Sequence, residues 1–167
     1  FLHVWRPRQA TPTDQSEVIT SRAITRGPAG ELQVPVEGVV RAVLIEPGET
    51  SAHGNRVFCG LESGTILDIR IAADQEDFNV EKLSGHLQGV TALARSPDGT
   101  RLASAGDDAS IRIWQMWTPN GPTQVRRLVG HTGSVTAIVY SPDGSQILSA
   151  GSDGTVRLWD VQLESQI

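Results

Sequence analysis

His131, Ser149 and Asp153 are the residue types of a hydrolytic triad: a base, a nucleophilic hydroxyl and an orienting carboxylate. The chain carries the set a second time, His86, Ser104 and Asp108, displaced by about 45 residues. An enzyme needs one such constellation in one cleft, whereas a device that recurs with a fixed period belongs to the fold. Neither serine sits in a Gly-x-Ser-x-Gly elbow. His3 and His53 are isolated, and no metal-ligand spacing joins His, Cys and carboxylates. Asp107-Asp108 is not followed by the alternating ligands of a calcium loop. Arg126-Arg127 is a two-residue basic spot of the kind usually solvated. No catalytic, metal or cofactor site is expected from these residues.

The elements that hold the two polar sets repeat with them. Residues 83–114 read LSGHLQGVTALARSPDGTRLASAGDDASIRIW, and residues 128–159 read LVGHTGSVTAIVYSPDGSQILSAGSDGTVRLW. They align without a gap, about half the positions being identical. Each unit opens on a short β-leaning run, at 90–94 or 135–139. Ser-Pro-Asp-Gly follows, in which Pro presets φ and Asp-Gly tolerates the positive φ of a tight hairpin. A second run, a second Gly/Asp turn and an alternating third run ending in Trp114 or Trp159 complete the unit. Short strands with turns every 8–12 residues or so predict an antiparallel all-β fold.

Gly-His, Ser-Pro-Asp-Gly, Ser-Ala-Gly-x-Asp and Trp-Asp at this period resemble the WD40 repeat of β-propellers. The first copy departs at one signature position, with Gln115 where the second has Asp160. The fold expected is a WD40 β-propeller segment of four-stranded antiparallel blades that does not close into a ring by itself. The resemblance implies a division into 1–38, the end of a preceding blade with a long Pro/Thr/Arg-rich loop; 39–82, a degenerate blade; 83–127; and 128–167, with an incomplete outer strand. Leu2-His3-Val4-Trp5 reads as a third strand, residues 6–30 as a loop, and 32–36, 78–83 and 125–129 as outer strands.

The resemblance also assigns the polar sets. His86, Ser104, Asp108 and Trp114, and likewise His131, Ser149, Asp153 and Trp159, match the family's internal hydrogen-bond tetrads. In the degenerate unit Val36, Cys59 and Ile69 stand near the His, Ser and Trp positions. An apolar replacement of the whole network is nearly neutral, where removal of one partner is not. Cys59 therefore reads as a small buried residue. Trp117 lies outside the pattern and either packs on the outer strand or serves as an exposed anchor.

Members of this family are typically rigid scaffolds for protein–protein contacts, which implies a non-catalytic function here. Binding usually engages the loops before the first strand and between the second and third. Those loops hold Leu87, Gln88 and Asp107, then Thr132, Ser134 and Ser152 as candidate contacts. The alternatives are a propeller appended to an enzyme domain outside this segment, or a structural subunit of a large assembly.

The chain has 167 residues, 38% of them hydrophobic, and a net charge of −5. That charge argues against a nucleic-acid or anionic-lipid partner. No apolar run approaches the roughly 18 residues of a membrane span. The sequence does not fix the compartment; with no signal or span in view, a cytoplasmic setting is favoured over others. One Cys excludes an internal disulfide framework. A seven-bladed ring takes close to 300 residues, so further blades are expected from the same polypeptide or another chain.

Overall fold

A computed structural model describes residues 25–26, 32–46, 55–72, 78–119 and 121–161. Thirteen strands are formed there, with no helix among the described residues: β1 (Thr25–Arg26), β2 (Leu32–Gln33), β3 (Val40–Glu46), β4 (Arg56–Leu61), β5 (Ile66–Ile71), β6 (Phe78–Leu83), β7 (Val90–Arg95), β8 (Arg101–Gly106), β9 (Ser110–Gln115), β10 (Thr123–Val129), β11 (Val135–Tyr140), β12 (Gln146–Gly151) and β13 (Val156–Asp160). They pair into an antiparallel meander β3-β4-β5-β6, a second meander β7-β8-β9-β10, a third sheet β11-β12-β13, and the short pair β1-β2. The expected first, second, third and outer strands of the two complete sheets all form.

The hairpins follow from their side chains. In the β7–β8 turn the Ser96 hydroxyl and the Thr100 backbone N–H both donate to Asp98 Oδ1, at 2.5 and 3.0 Å, and Gly99 takes φ +69°. Ser141, Asp143 and Ser145 build the same turn between β11 and β12, with Gly144 at φ +71°. These bonds hold the Asp98 and Asp143 carboxyls down at about 2. Each first strand also carries a bulge after its opening residue, at Val40/Ala42, Val90/Ala92 and Val135/Ala137. A bulge recurring at one position is a feature of the unit, re-aiming the strand where sheets meet.

The sheets stack through their first strands β3, β7 and β11. One apolar cluster joins the first and second sheets through Phe58, Ile66 and Leu83 against Val90, Leu102, Trp114 and Met116. Another joins the second and third through Ala103, Ala105, Ile111 and Ile113 against Val135, Tyr140, Ile147 and Val161. A third, on the far face of the first sheet, gathers Cys59, Leu61, Leu67 and Ile69 under Val34 and Val36. Val36, Cys59 and Ile69 thus sit together as an apolar cluster.

Three expectations need correction or fall elsewhere. The 6–30 stretch contains β1, so it is not a loop throughout; β1 pairs with β2, whose strand is Leu32–Gln33 and not the whole of 32–36. The third strand expected at residues 2–5 and the truncated outer strand expected at 162–167 lie outside the described residues. Trp117 is 60% exposed, yet its ring lies 4.8 Å from the Arg56 guanidinium and its indole N–H donates to the Gly99 carbonyl. It joins the second sheet's hairpin to a side chain of the first sheet.

Candidate functional site

His86 lies in the β6–β7 loop, Ser104 on β8, Asp108 in the β8–β9 turn and Trp114 on β9. Pairing of β8 with β9 sets Leu102 opposite Trp114, so the indole reaches Ser104 on the same face. Asp108 Oδ1 lies 3.0 Å from His86 Nδ1, Ser104 Oγ 2.8 Å from His86 Nε2, and Trp114 Nε1 2.9 Å from Ser104 Oγ. An ionised carboxylate only accepts, so His86 Nδ1–H donates to Asp108, Nε2 accepts from the serine hydroxyl, and Ser104 Oγ accepts from the indole. The third sheet repeats this: His131 Nδ1 to Asp153 Oδ2 at 2.8 Å, His131 Nε2 to Ser149 Oγ at 2.8 Å, and Trp159 Nε1 to Ser149 Oγ at 2.8 Å.

Burial alone would raise the Asp108 pKa. The His86 N–H, the Ser110 hydroxyl and the Leu87 backbone N–H outweigh it and hold the carboxyl at about 2. Asp153 is likewise held below the usual carboxylate range, chiefly by the Thr132 backbone N–H, with Thr155 and His131 adding to it. Desolvation lowers the His86 pKa, against the pull of Asp108, and keeps the ring neutral at neutral pH. Each carboxylate thus ties its histidine to two loops of one sheet.

Glycine makes room for these contacts. A Cβ on Gly106 would lie 2.6 Å from His86 Nδ1 and 2.9 Å from Asp108 Oδ1. One on Gly151 would meet His131 and Asp153 at 2.5 and 2.9 Å. The glycine preceding each tetrad turn is therefore set by close approach.

The connectivity Asp–His–Ser is that of a triad, but access is not. Ser104 is fully buried, its hydroxyl hydrogen committed to imidazole and its oxygen to an indole. Ser149 is also buried. A nucleophile must reach a carbonyl carbon beside an oxyanion site, and both hydroxyls are buried and engaged.

The six rim candidates fall into two groups. Leu87 is 78% exposed, and Gln88, Thr132 and Ser152 also face solvent. Asp107 and Ser134 meet each other across the second and third sheets, with Ser134 Oγ 2.5 Å from Asp107 Oδ1. Arg41 on β3 reaches the other oxygen of Asp107, at 2.5 Å.

The sequence reading missed two arrangements. In the first sheet Arg56 donates from Nε and Nη2 to both oxygens of the fully buried Asp68, at 2.7 and 2.6 Å. Arg70 extends the pair to Glu81 on β6. Glu46 and Arg95 pair across the first and second sheets at 2.6 Å. The available signal was alternation: Arg56, Asp68 and Arg70 fall at same-face positions of adjacent strands. Nothing in the residue types alone says that this face is buried against another sheet.

Comparison with known proteins agrees with this geometry. The family model described as WD domain, G-beta repeat matches residues 78–115 and 122–160. The first match runs from β6 through β9, so the repeat takes the outer strand of one sheet and the first three strands of the next. The chain is 33% identical over 89 residues to vegetative incompatibility protein HET-E-1 of Podospora anserina, covering 53% of this chain and 6% of that protein. It is 36% identical over 91 residues to nuclear distribution protein nudF 1 of Talaromyces marneffei, covering 53% and 19%. It is 28% identical over 103 residues to ribosome biogenesis protein YTM1 of Scheffersomyces stipitis, covering 61% and 20%. The chain thus spans a fifth or less of the length of each of these relatives. The chain carries WD40 repeats and folds them as stacked β-propeller blades.

Proposed function

We propose that this segment is a non-catalytic scaffold whose loop rim contacts protein partners. The observation that carries the reading is the sealed serine. Two identical Asp–His–Ser–Trp networks recur in adjacent sheets, and in both the hydroxyl is buried and doubly engaged. Buried donors and acceptors that satisfy one another stabilise a blade and leave no group for chemistry. We assign all eight tetrad residues a structural role, and the units 39–82, 83–127 and 128–167 as successive blades after a 1–38 lead segment.

The exposed side chains of Leu87, Gln88, Thr132 and Ser152 are the contact group. Glu37 and Glu62 are exposed in loops at the same end. That charge favours partners presenting basic side chains, and disfavours nucleic acid. Further blades of the same propeller are the second class of partner.

Two measurements test this. Ester and peptide hydrolysis is assayed on the full chain and on Ser104→Ala and Ser149→Ala; activity that both substitutions abolish overturns the structural assignment. Cross-linked partners are then compared between Leu87→Arg/Thr132→Arg and the outer-strand control Val125→Arg. Loss only with the rim pair, at unchanged stability, supports the reading; equal loss or none refutes the rim.

A further inference from the structure

We infer that Asp107 is a pin coupling three blades through one carboxylate, rather than a contact for a partner. Stacked repeats ordinarily interact only with their nearest neighbours, so each seam stabilises independently. Here the two seams of the second sheet share a group. Arg41, on the first strand of the first sheet, meets Asp107 Oδ2 at 2.5 Å. Ser134, in the loop entering the third sheet, donates to Asp107 Oδ1 at 2.5 Å. The two donors occupy different oxygens and stand in sheets that flank the second.

The surroundings fit this role. The Asp107 backbone N–H is anchored to the Gly89 carbonyl at 2.9 Å, so the turn that carries the carboxylate is fixed. Gly89 leaves the space in which the ion pair forms. A Cβ there would lie 2.7 Å from Arg41 Nη1 and 3.0 Å from Asp107 Oδ2. Asp107 is held in its ionised form first by the Ser134 hydroxyl and then by Arg41. Glu62 and Ser152 stand at the matching positions of the first and third sheets. The longer acid and the bare hydroxyl differ in reach and charge, so the arrangement belongs to the central sheet. Thr91 adds a bond to the Val135 carbonyl across the second seam, beside the pin.

A shared charge has a measurable consequence. Groups in one network do not contribute additively, while distant independent sites do. Arg41 and Ser134 belong to different blades and bond to a common acid, so removing one changes what the other is worth. The experiment is a double-mutant cycle on the full chain, with Arg41→Gln, Ser134→Ala and both together, followed by urea unfolding and by amide exchange at Val90 and Val135. The cycle is repeated with Asp107→Asn, a near-isosteric change that removes the charge. The expected result is that the combined effect on the folded-to-unfolded ratio departs from the product of the single effects by more than about twofold. In the Asp107→Asn background the departure disappears. Gly89→Ala, which leaves every charge in place, lowers protection at Val90 as Arg41→Gln does. Effects that multiply to within about twofold in the original chain overturn the pin, as does a departure that persists with Asp107→Asn.

Discussion

Ile111 and Ile113 of the second blade are each 1% exposed; Val156 and Leu158, 45 residues further on, are 67% and 62% exposed. Ala103 is fully buried, while its counterpart Leu148 is 44% exposed. The sequence around these positions is nearly the same, and so is the strand geometry. The difference is the neighbour: the second blade's face packs on Ile138, Ile147 and Tyr140, and no described residue covers the third blade's matching face. The polar networks do not follow this contrast. Both are complete, with bonds of 2.8–3.0 Å. Each network closes within one blade, whereas apolar burial is a property of a pair of blades.

The sharpest test of that contrast is the tryptophan pair. Trp114 is buried beside the outer strand, where Gln124 pairs with it, and Trp159 is half-buried on β13, which among the described residues pairs with β12 alone. Trp114→Ala is expected to cost about 3–5 kcal/mol, and Trp159→Ala roughly half of that, read from urea midpoints of the full chain. Equal losses would show that the hydrogen bond, which both indoles make, outweighs burial.

Next come the facing aliphatics. Ile113→Ala leaves a cavity at a packed seam and should cost about 2–4 kcal/mol. Leu158→Ala removes exposed surface and should change stability by less than about 0.5 kcal/mol. A large loss at Leu158 in the full chain would mean that its face is covered in solution.

Asp108→Ala leaves donors of His86, Leu87 and Ser110 without their acceptor and should cost about 1–3 kcal/mol. Acid tests the same group. Its folded pKa, about 2, lies below the ordinary carboxyl value of 3.8, so its contribution is complete above about pH 4 and is lost as pH falls toward 2. His86, lowered by burial, has the same sign: its contribution is full above its ordinary value of 6.5 and erodes below it. Urea midpoints should therefore begin to drop below about pH 6.5 and fall further below pH 4. With Asp108→Ala the second drop is expected to be shallower, but not absent, because Asp98 and Asp143 titrate in the same window.

The smallest effect lies in the turn after β8. Ala109 holds φ +57°, where Gly64 and Gly154 hold +86° and +76° in the other two blades. A Cβ in this region is strained, so Ala109→Gly should stabilise by about 0.5–1 kcal/mol, and Gly154→Ala should cost about 1 kcal/mol. No gain at Ala109 would mean that the unfolded-state entropy of glycine offsets the relieved strain.

Much of the molecule was legible in the residue string. The 45-residue offset, the two Ser-Pro-Asp-Gly turns and the alternating runs predict the strands, because turn chemistry and period-2 patterning act over a few residues. The hydrogen-bonded partners of His86 and His131 are legible for a related reason: they are fixed by registers inside one blade. The first blade shows the limit. Its loss of His, Ser and Trp can be read directly, but the Arg56–Asp68 pair cannot, since nothing local says that those charges face a second sheet.

Asp107 and Ser134 make the same point. The sequence places both in exposed-looking loops beside Leu87 and Thr132, which do face solvent. Only the stacking of three sheets brings Arg41, Asp107 and Ser134, from separate blades, to one carboxylate. Residue types, turns and intra-blade hydrogen bonds were determined by neighbours in the chain, through φ/ψ preference and strand register. Which apolar faces are covered, and which rim charges are already engaged, was decided by the angle and distance at which whole blades pack. That packing energy is summed over dozens of side chains distant in sequence, and no short stretch of residues encodes it.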